Sequence, residues 1–390
     1  MSRNGRHRPR ERGTRPWLIF VGLGIAIGAL VVGIVVSRPA GPPDPRAGSE
    51  ALGPGPPLAI TRTPTAYRVV YREDFGLGGS TAGTRTQVLS VRRPFESRRT
   101  TLAGAPPGGA TLDDQISTLN HIKLSPPGSA PTVLIVPPSL APFDVRLDAS
   151  VEQVLAARGA ARFERRRVLD RLCQVYRAAE SLDNTLTPIA ESATSYVDSC
   201  VDEAGLVLET ARFDNGSMTA RDIAVSVTES PTFGDDFAVD VTGTIPVSQG
   251  GGSVMQLDPT SSTIAISVSL PTPPQGFTFL GRYAVASEDP GAAQGQRGSG
   301  RSVGVFDVYT RGPDFVTVEE SGNTAFIALP ASPFATPVDV GSLGLGQVIP
   351  GARQSEVRVD ISRGGRFVRV AGTIAPDDLV AIARQLRRTS

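Results

Sequence analysis

Histidine, cysteine and tryptophan are nearly absent: the 390 residues hold two histidines, two cysteines and one tryptophan. Each scarcity excludes chemistry. His7 lies in an arginine-rich leading segment and His121 far away in a proline-flanked stretch, read as an exposed loop residue, so a Ser-His-acid triad and a Cys/His metal cage both lack members. An excess of one charge is also missing, since 39 Lys and Arg stand against 38 Asp and Glu, a formal net charge of +1. Arg3, Arg6, Arg8, Arg10, Arg12 and Arg15 precede residue 17 against the single Glu11, which leaves the remainder near neutral. No basic stripe of the kind a phosphate backbone requires is present, and nucleic acid is not expected as a partner.

Motifs that mimic catalytic sites fail on context. Gly300-Arg301-Ser302-Val303-Gly304 fits G-x-S-x-G, but a nucleophile elbow needs a strand before it, a helix after it and a downstream histidine, and no histidine follows Ser302. The pairs Asp113-Asp114, Asp235-Asp236 and Glu319-Glu320 are adjacent in sequence and read as solvated turn or strand-edge charges without the apolar setting that shifts an acid. The expectation is a protein that is not an enzyme, with no cofactor and no metal.

What the chain does have is a charge-free run from Trp17 to Val36. As a helix rising about 1.5 Å per residue it would be roughly 30 Å long, the thickness of a bilayer's hydrocarbon core. The arginines before it would stay cytoplasmic, so the sequence predicts a single-pass protein of the cell membrane, N-terminus inside and C-terminal domains extracytoplasmic. The run is longer than the usual apolar stretch of a cleaved secretory signal, the alternative for which Val35-Val36-Ser37 would serve as the site, and a retained anchor is the favoured reading. Gly24 and Gly28 form a GxxxG, a candidate contact between membrane helices. In an exported compartment the two cysteines, Cys173 and Cys200, are expected to pair as a disulfide.

Organisation follows from proline, glycine and periodicity. Residues 1–16 read as a basic cytoplasmic tail, 17–36 as a transmembrane helix and 37–64, with eight prolines, as an extended spacer. A β-rich domain is expected over 65–245, a linker over 246–276 and an α+β domain over 277–390. Tyr67, Val69 and Tyr71 alternate with Arg68, Val70 and Arg72, the period of a strand, and a second strand runs from Thr86 to Arg93. Ser150 with Gln153 makes a capping box for a helix ending at Gly159. Tyr196 to Asp202 and Leu206 to Thr210 form a hairpin across Glu203-Ala204-Gly205, and Cys173 and Cys200 fall on strands that the bond would staple sheet to sheet. The chain closes on a helix with Pro376 at its first position, Asp377 and Asp378 in its first turn, an apolar face of Leu379, Ile382, Ala383 and Leu386, and Arg384, Arg387 and Arg388 at its end.

Val91-Arg92-Arg93-Pro94-Phe95 with Arg98, Cys173-Gln174-Val175-Tyr176, and Val201-Asp202-Glu203-Ala204-Gly205-Leu206 resemble motifs of the extracytoplasmic lipoprotein-carrier superfamily, the LolA-like fold, over about Tyr67 to Phe237. Pro274-Gln275-Gly276-Phe277 and Val368 to Leu386 are similar in layout to the smaller domain of sigma-factor regulators of the RseB/MucB type. The arginine- and alanine-rich composition suggests an actinobacterial member. The resemblance implies an α+β fold: a curved antiparallel β-sheet, a LolA-like half-barrel, with helices on its concave side, followed by a smaller α+β C-terminal domain. It also implies an apolar cavity for a lipid or lipoprotein ligand, and Tyr67, Val69, Tyr71, Leu206 and Leu208 are the candidates for its lining. The function expected is non-enzymatic binding of a lipid or lipidated ligand for sensing or hand-off. The alternative is a regulator of a sigma-factor pathway, or an envelope-assembly scaffold, acting on a membrane protein partner.

Overall fold

In the computed structural model the residues described are 48–79, 81–135, 160–179, 189, 192–239, 246–248, 253–257, 267–287, 302–321, 334–351, 354–360 and 367–388. The first sheet consists of β1 (Ser49–Gly53), β2 (Ala66–Phe75), β3 (Gly83–Arg92), β4 (Glu96–Ala103), β5 (Thr111–Ser117), β6 (His121–Ser125), β7 (Thr132–Ile135), β8 (Ala161–Val168), β9 (Arg171–Ala178), β10 (Tyr196–Asp202), β11 (Val207–Asp214), β12 (Ser217–Glu229) and β13 (Pro246–Ser248). Its spatial order is β1-β8-β9-β10-β11-β12-β2-β3-β4-β5-β6-β7-β13. Two antiparallel meanders, β2 to β7 and β8 to β12, are therefore joined where β12 pairs with β2, Ile223 opposite Arg72 and Glu229 opposite Tyr67. The alternation of Tyr67, Val69 and Tyr71 buries all three while Arg68, Val70 and Arg72 stay partly exposed, the pattern of a pleated strand.

The expected hairpin forms with β10 and β11. Gly205 takes φ +73° in its turn, and the Asp202 carboxylate accepts the backbone N–H groups of Ala204 and Leu206, both at 2.9 Å. Aspartate bonding its own turn and glycine in the left-handed region are the local devices that fix this connection.

The second sheet runs β14 (Ser253–Leu257), β16 (Thr278–Ser287), β17 (Ser302–Arg311), β18 (Asp314–Ser321), β22 (Phe367–Gly372), β21 (Ser355–Asp360), β20 (Leu345–Ile349), β19 (Thr336–Asp339); β15 (Val268–Ser269) and β23 (Arg387–Arg388) make a separate two-stranded pair. Helix α1 (Pro376–Ala383) has Asp377 and Asp378 in its first turn and buries Leu379, Val380, Ile382 and Ala383. They pack with Val316, Val318, Val357, Val359, Val368 and Val370 of the sheet. The helix is shorter than the sequence suggests. Arg387 donates to the carbonyls of Arg384 and Leu386, and Arg387 and Arg388 leave the helix to pair with Ser269 and Val268.

Several expectations are corrected. The fold is β rather than α+β: among the described residues α1 is the one α-helix, beside a 3-10 turn at Gly341–Leu343. The predicted helix from Ser150 to Gly159 lies outside the described residues, and no helix is described on either face of the first sheet. No helix among the described residues is long and apolar enough to cross a membrane. Trp17 to Val36, with Gly24 and Gly28, also lies outside them, and the single-pass anchor and cell-membrane location are withdrawn. Of the proline-rich spacer, residues 37–47 lie outside the described residues, and the remainder makes contacts with the sheet. Ser49–Gly53 pairs with β8, Thr61 N–H bonds Glu203, Arg62 pairs with Glu229, and Arg93 holds the carbonyls of Pro64 and Thr65.

Phe95, in the resemblance motif, carries the contact between the two sheets. Its ring, 6% exposed, lies 4.9 Å from that of Phe315, in a cluster with Tyr283, Phe306 and Val308. Replacing Phe95 with Leu keeps apolar volume but loses the ring contact. It is expected to cost about 1–2 kcal/mol, read as a shifted urea midpoint.

Candidate functional site

The five candidate residues come together. Tyr67 (3% exposed), Val69 (0%) and Tyr71 (8%) from β2, Leu206 (2%) from the hairpin turn and Leu208 (0%) from β11 belong to one apolar cluster with Val91, Val168, Cys173, Val175, Cys200 and Ile223. Leu89 and Val227 pack at its margin, partly exposed. Its two tyrosines have polar neighbours: Tyr71 Oη donates to the Val207 carbonyl at 2.7 Å, and the Arg93 guanidinium sits 5.5 Å from the Tyr67 ring centroid.

Cys173 and Cys200 form the expected disulfide. It joins neighbouring strands of one sheet, not two sheets. Cys200 stands opposite Val175 and Cys173 opposite Asp202, so the bond runs diagonally across the β9–β10 ladder inside the apolar cluster.

Beside this cluster lies a buried ionic network that sequence reading did not find. Arg221 and Glu209, 1% and 2% exposed, pair at 2.8 Å. Glu209 also accepts the Ser49 hydroxyl at 2.9 Å and faces Arg166 at 3.3 Å, while Arg166 bonds Glu164 at 2.6 Å. Arg177 grips the Asp198 carboxylate with two bonds, at 2.8 and 2.9 Å, its guanidinium lying between the rings of Phe163 and Tyr196. A second chain runs from Arg62 through Glu229 and Arg171 to Asp202. Arg62 holds Glu229 below the ordinary carboxylate range. Apart from Glu164 and Arg166, the paired residues lie at least 12 positions apart in the sequence, and only strand register makes partners of them. The one sequence signal was the run Glu164-Arg165-Arg166-Arg167, whose strand period points successive charges to opposite faces.

Asp222 is different. It stands opposite Glu73 on β2 and Thr210 on β11, and burial, reinforced by the Glu73 charge, pushes its carboxyl up to about 7. A raised carboxyl contributes stability that is fully present below the unfolded value near 4 and is lost as pH rises through 7. The expected result is a wild-type unfolding midpoint that falls between about pH 4 and pH 8 and flattens in Asp222→Asn. At pH 8 the variant should be more stable by roughly 1–3 kcal/mol.

The remaining sequence candidates are placed as follows. Ser302 opens β17 and pairs with Ser287 on β16, so a strand follows it, not a helix. His121 opens β6 instead of lying in an exposed loop, and burial lowers its pKa. Asp114 pairs with Arg98, and Asp236 with Arg68. Glu319 and Glu320 are buried, against expectation: Glu319, raised by burial, faces Arg369, and Glu320 accepts the N–H groups of Ser267 and Val268. No cluster of metal-ligating side chains occurs among the described residues.

No family model matches the chain, and no curated protein matches it. Solved structures similar to it include MucB of Pseudomonas aeruginosa in its complex with MucA, at 13% identity over 83% of this chain and 94% of that one, TM-score 0.30. A structure of MucB alone has 11% identity over 83% and 93%, TM-score 0.30. A LolA superfamily protein from Nitrosomonas europaea has 12% identity over 46% and 92%, TM-score 0.22. At this level of identity and superposition, function is argued from the chain's own residues.

Proposed function

We propose that this chain is a non-catalytic, LolA-like binding protein that takes an acyl-bearing ligand, a lipid or a lipidated protein, against the apolar cluster around Tyr67, Val69, Tyr71, Leu206 and Leu208. The observation that carries the reading is the continuity of that cluster across β2, β3 and β8 to β12, the region that holds the resemblance motifs. An acyl chain needs apolar area and no reactive group, and each methylene transferred from water contributes about 0.8 kcal/mol. The five side chains are at most 8% exposed, so the ligand enters by parting them from the margin, where Leu89 and Val227 are partly exposed.

The test is displacement of a fluorescent fatty acid from the full chain. Leu89→Trp places a bulky ring at the margin and is expected to weaken probe binding about tenfold or more while the melting temperature moves only a few degrees. Probe binding absent from the wild type, or unchanged in a folded Leu89→Trp, contradicts the reading.

A second reading is a regulator that acts by protein contact, and the closed packing of the cluster favours it: five side chains at most 8% exposed suit a partner that binds elsewhere. Crosslinking in cells that captures a defined protein, with no lipid extracted from the purified chain, selects this reading.

A further inference from the structure

We propose that β1 is an exchangeable strand and that the edge of β8 is a docking site for the β1 of a second copy of this chain, giving a strand-swapped dimer. β1 is a terminal strand of the first sheet, antiparallel to β8 alone, with Ser49 opposite Val168, Glu50 opposite Arg167, Ala51 opposite Arg166 and Gly53 opposite Arg165. None of its five side chains is buried, whereas β9 and β10 bury most of theirs. Its attachment consists of ladder bonds, the Glu50–Arg167 pair at 2.9 Å with both groups about half exposed, and the Ser49 hydroxyl on Glu209. Such an element sits at the low end of local stability.

The edge it covers has the opposite character. Val168 is 0% exposed and Glu209 2%, so without a strand there, buried groups and a row of backbone donors and acceptors would meet water. β8 therefore requires an occupant, while β1 brings no core of its own. Fit is specific: a hydroxyl reaches Glu209 and a carboxylate meets Arg167. Another copy's β1 meets each requirement identically. Pro54, Pro56 and Pro57 favour an extended path through the exposed residues 54–57, and the connector is held to the sheet from Thr61 on, by Thr61 N–H to Glu203 and Arg62 to Glu229, so the crossing to a second molecule falls before Thr61.

The test uses full chains carrying Glu50→Cys or Arg167→Cys. Register partners in an antiparallel pair lie within the Cα separation a disulfide accepts. The native Cys173–Cys200 bond is buried and stays out of the exchange. The two variants are mixed from about 10 μM to about 1 mM, a range that reaches the effective concentration of a tethered strand, on the order of mM, and are then oxidised. The expected result is a disulfide-linked heterodimer that increases with concentration and exceeds, by at least about fivefold, the product from Glu50→Cys with Arg212→Cys, an exposed control on β11. The double variant Glu50→Cys/Arg167→Cys should form the bond within one chain when dilute. Mixed single variants that stay monomeric at every concentration, or crosslink no better than the control, overturn the exchange. A double variant that fails to close its own bond overturns the β1–β8 register on which it stands.

Discussion

Replacing Glu209 with alanine is expected to lower the unfolding free energy by about 3–5 kcal/mol, because it breaks the buried ion pair with Arg221 and takes one of Arg166's three carboxylate neighbours. Arg221 is 1% exposed and directs Nε to the Glu209 carboxylate. The measurement is equilibrium urea unfolding at pH 7, with Glu209→Leu/Arg221→Met as its control. Removing both charges together takes out the buried pair as a unit, so the double variant should regain most of the loss. If it is as unstable as the single variant, the pair is not the source of the effect.

Removing the disulfide is the second large perturbation. The cysteines are 27 residues apart in sequence, and Cys173→Ala/Cys200→Ala is expected to cost about 3.5 kcal/mol in the chain-entropy model. Both residues are packed in the apolar cluster, 0% and 1% exposed, so lost sulfur contacts add to the cost. The readout is the urea midpoint of the variant against the wild type, with the slope unchanged. In the native wild type a thiol reagent should find no free thiol even after mild reductant, and two thiols should appear once urea is added. A midpoint shift corresponding to less than about 1 kcal/mol would mean that the bond adds little to a ladder already closed.

The parts of the fold legible in the sequence were those written locally. The β10–β11 hairpin was visible because Asp202 and Gly205 sit at the offsets a tight turn needs, and β2 because Tyr67, Val69 and Tyr71 repeat with period two. The start of α1 was visible because proline, two aspartates and an apolar stripe agree. What was not legible depends on pairing between distant strands. That β12 adjoins β2, that β1 closes on β8, and that Glu209 meets Arg221 and Arg166 are facts of register. Period-two alternation marks which residues face the same side, but not which strand lies beside them. Composition misled at Ser49 to Thr65, where proline and glycine suggested a detached spacer although Glu50, Thr61 and Arg62 each have partners on the sheet. The Asp113-Asp114, Asp235-Asp236 and Glu319-Glu320 pairs show the same limit. Adjacency in sequence says nothing of Arg98, Arg68 and Arg369, which face them across strands or loops.

The candidate site was half legible. Tyr67, Val69, Tyr71, Leu206 and Leu208 do meet in one cluster, because apolar positions on adjoining strands of one sheet share a buried side. The ionic network beside it was invisible, because only strand register brings Glu209 to Arg221 and Asp198 to Arg177.

The most direct test of apolar ligand binding is native mass spectrometry of the full chain purified without detergent, followed by solvent extraction and lipid analysis. The account predicts a bound acyl-bearing species near one per chain, reduced in Leu89→Trp. A chain that carries no such species, and that takes up none when offered lipid, would contradict it.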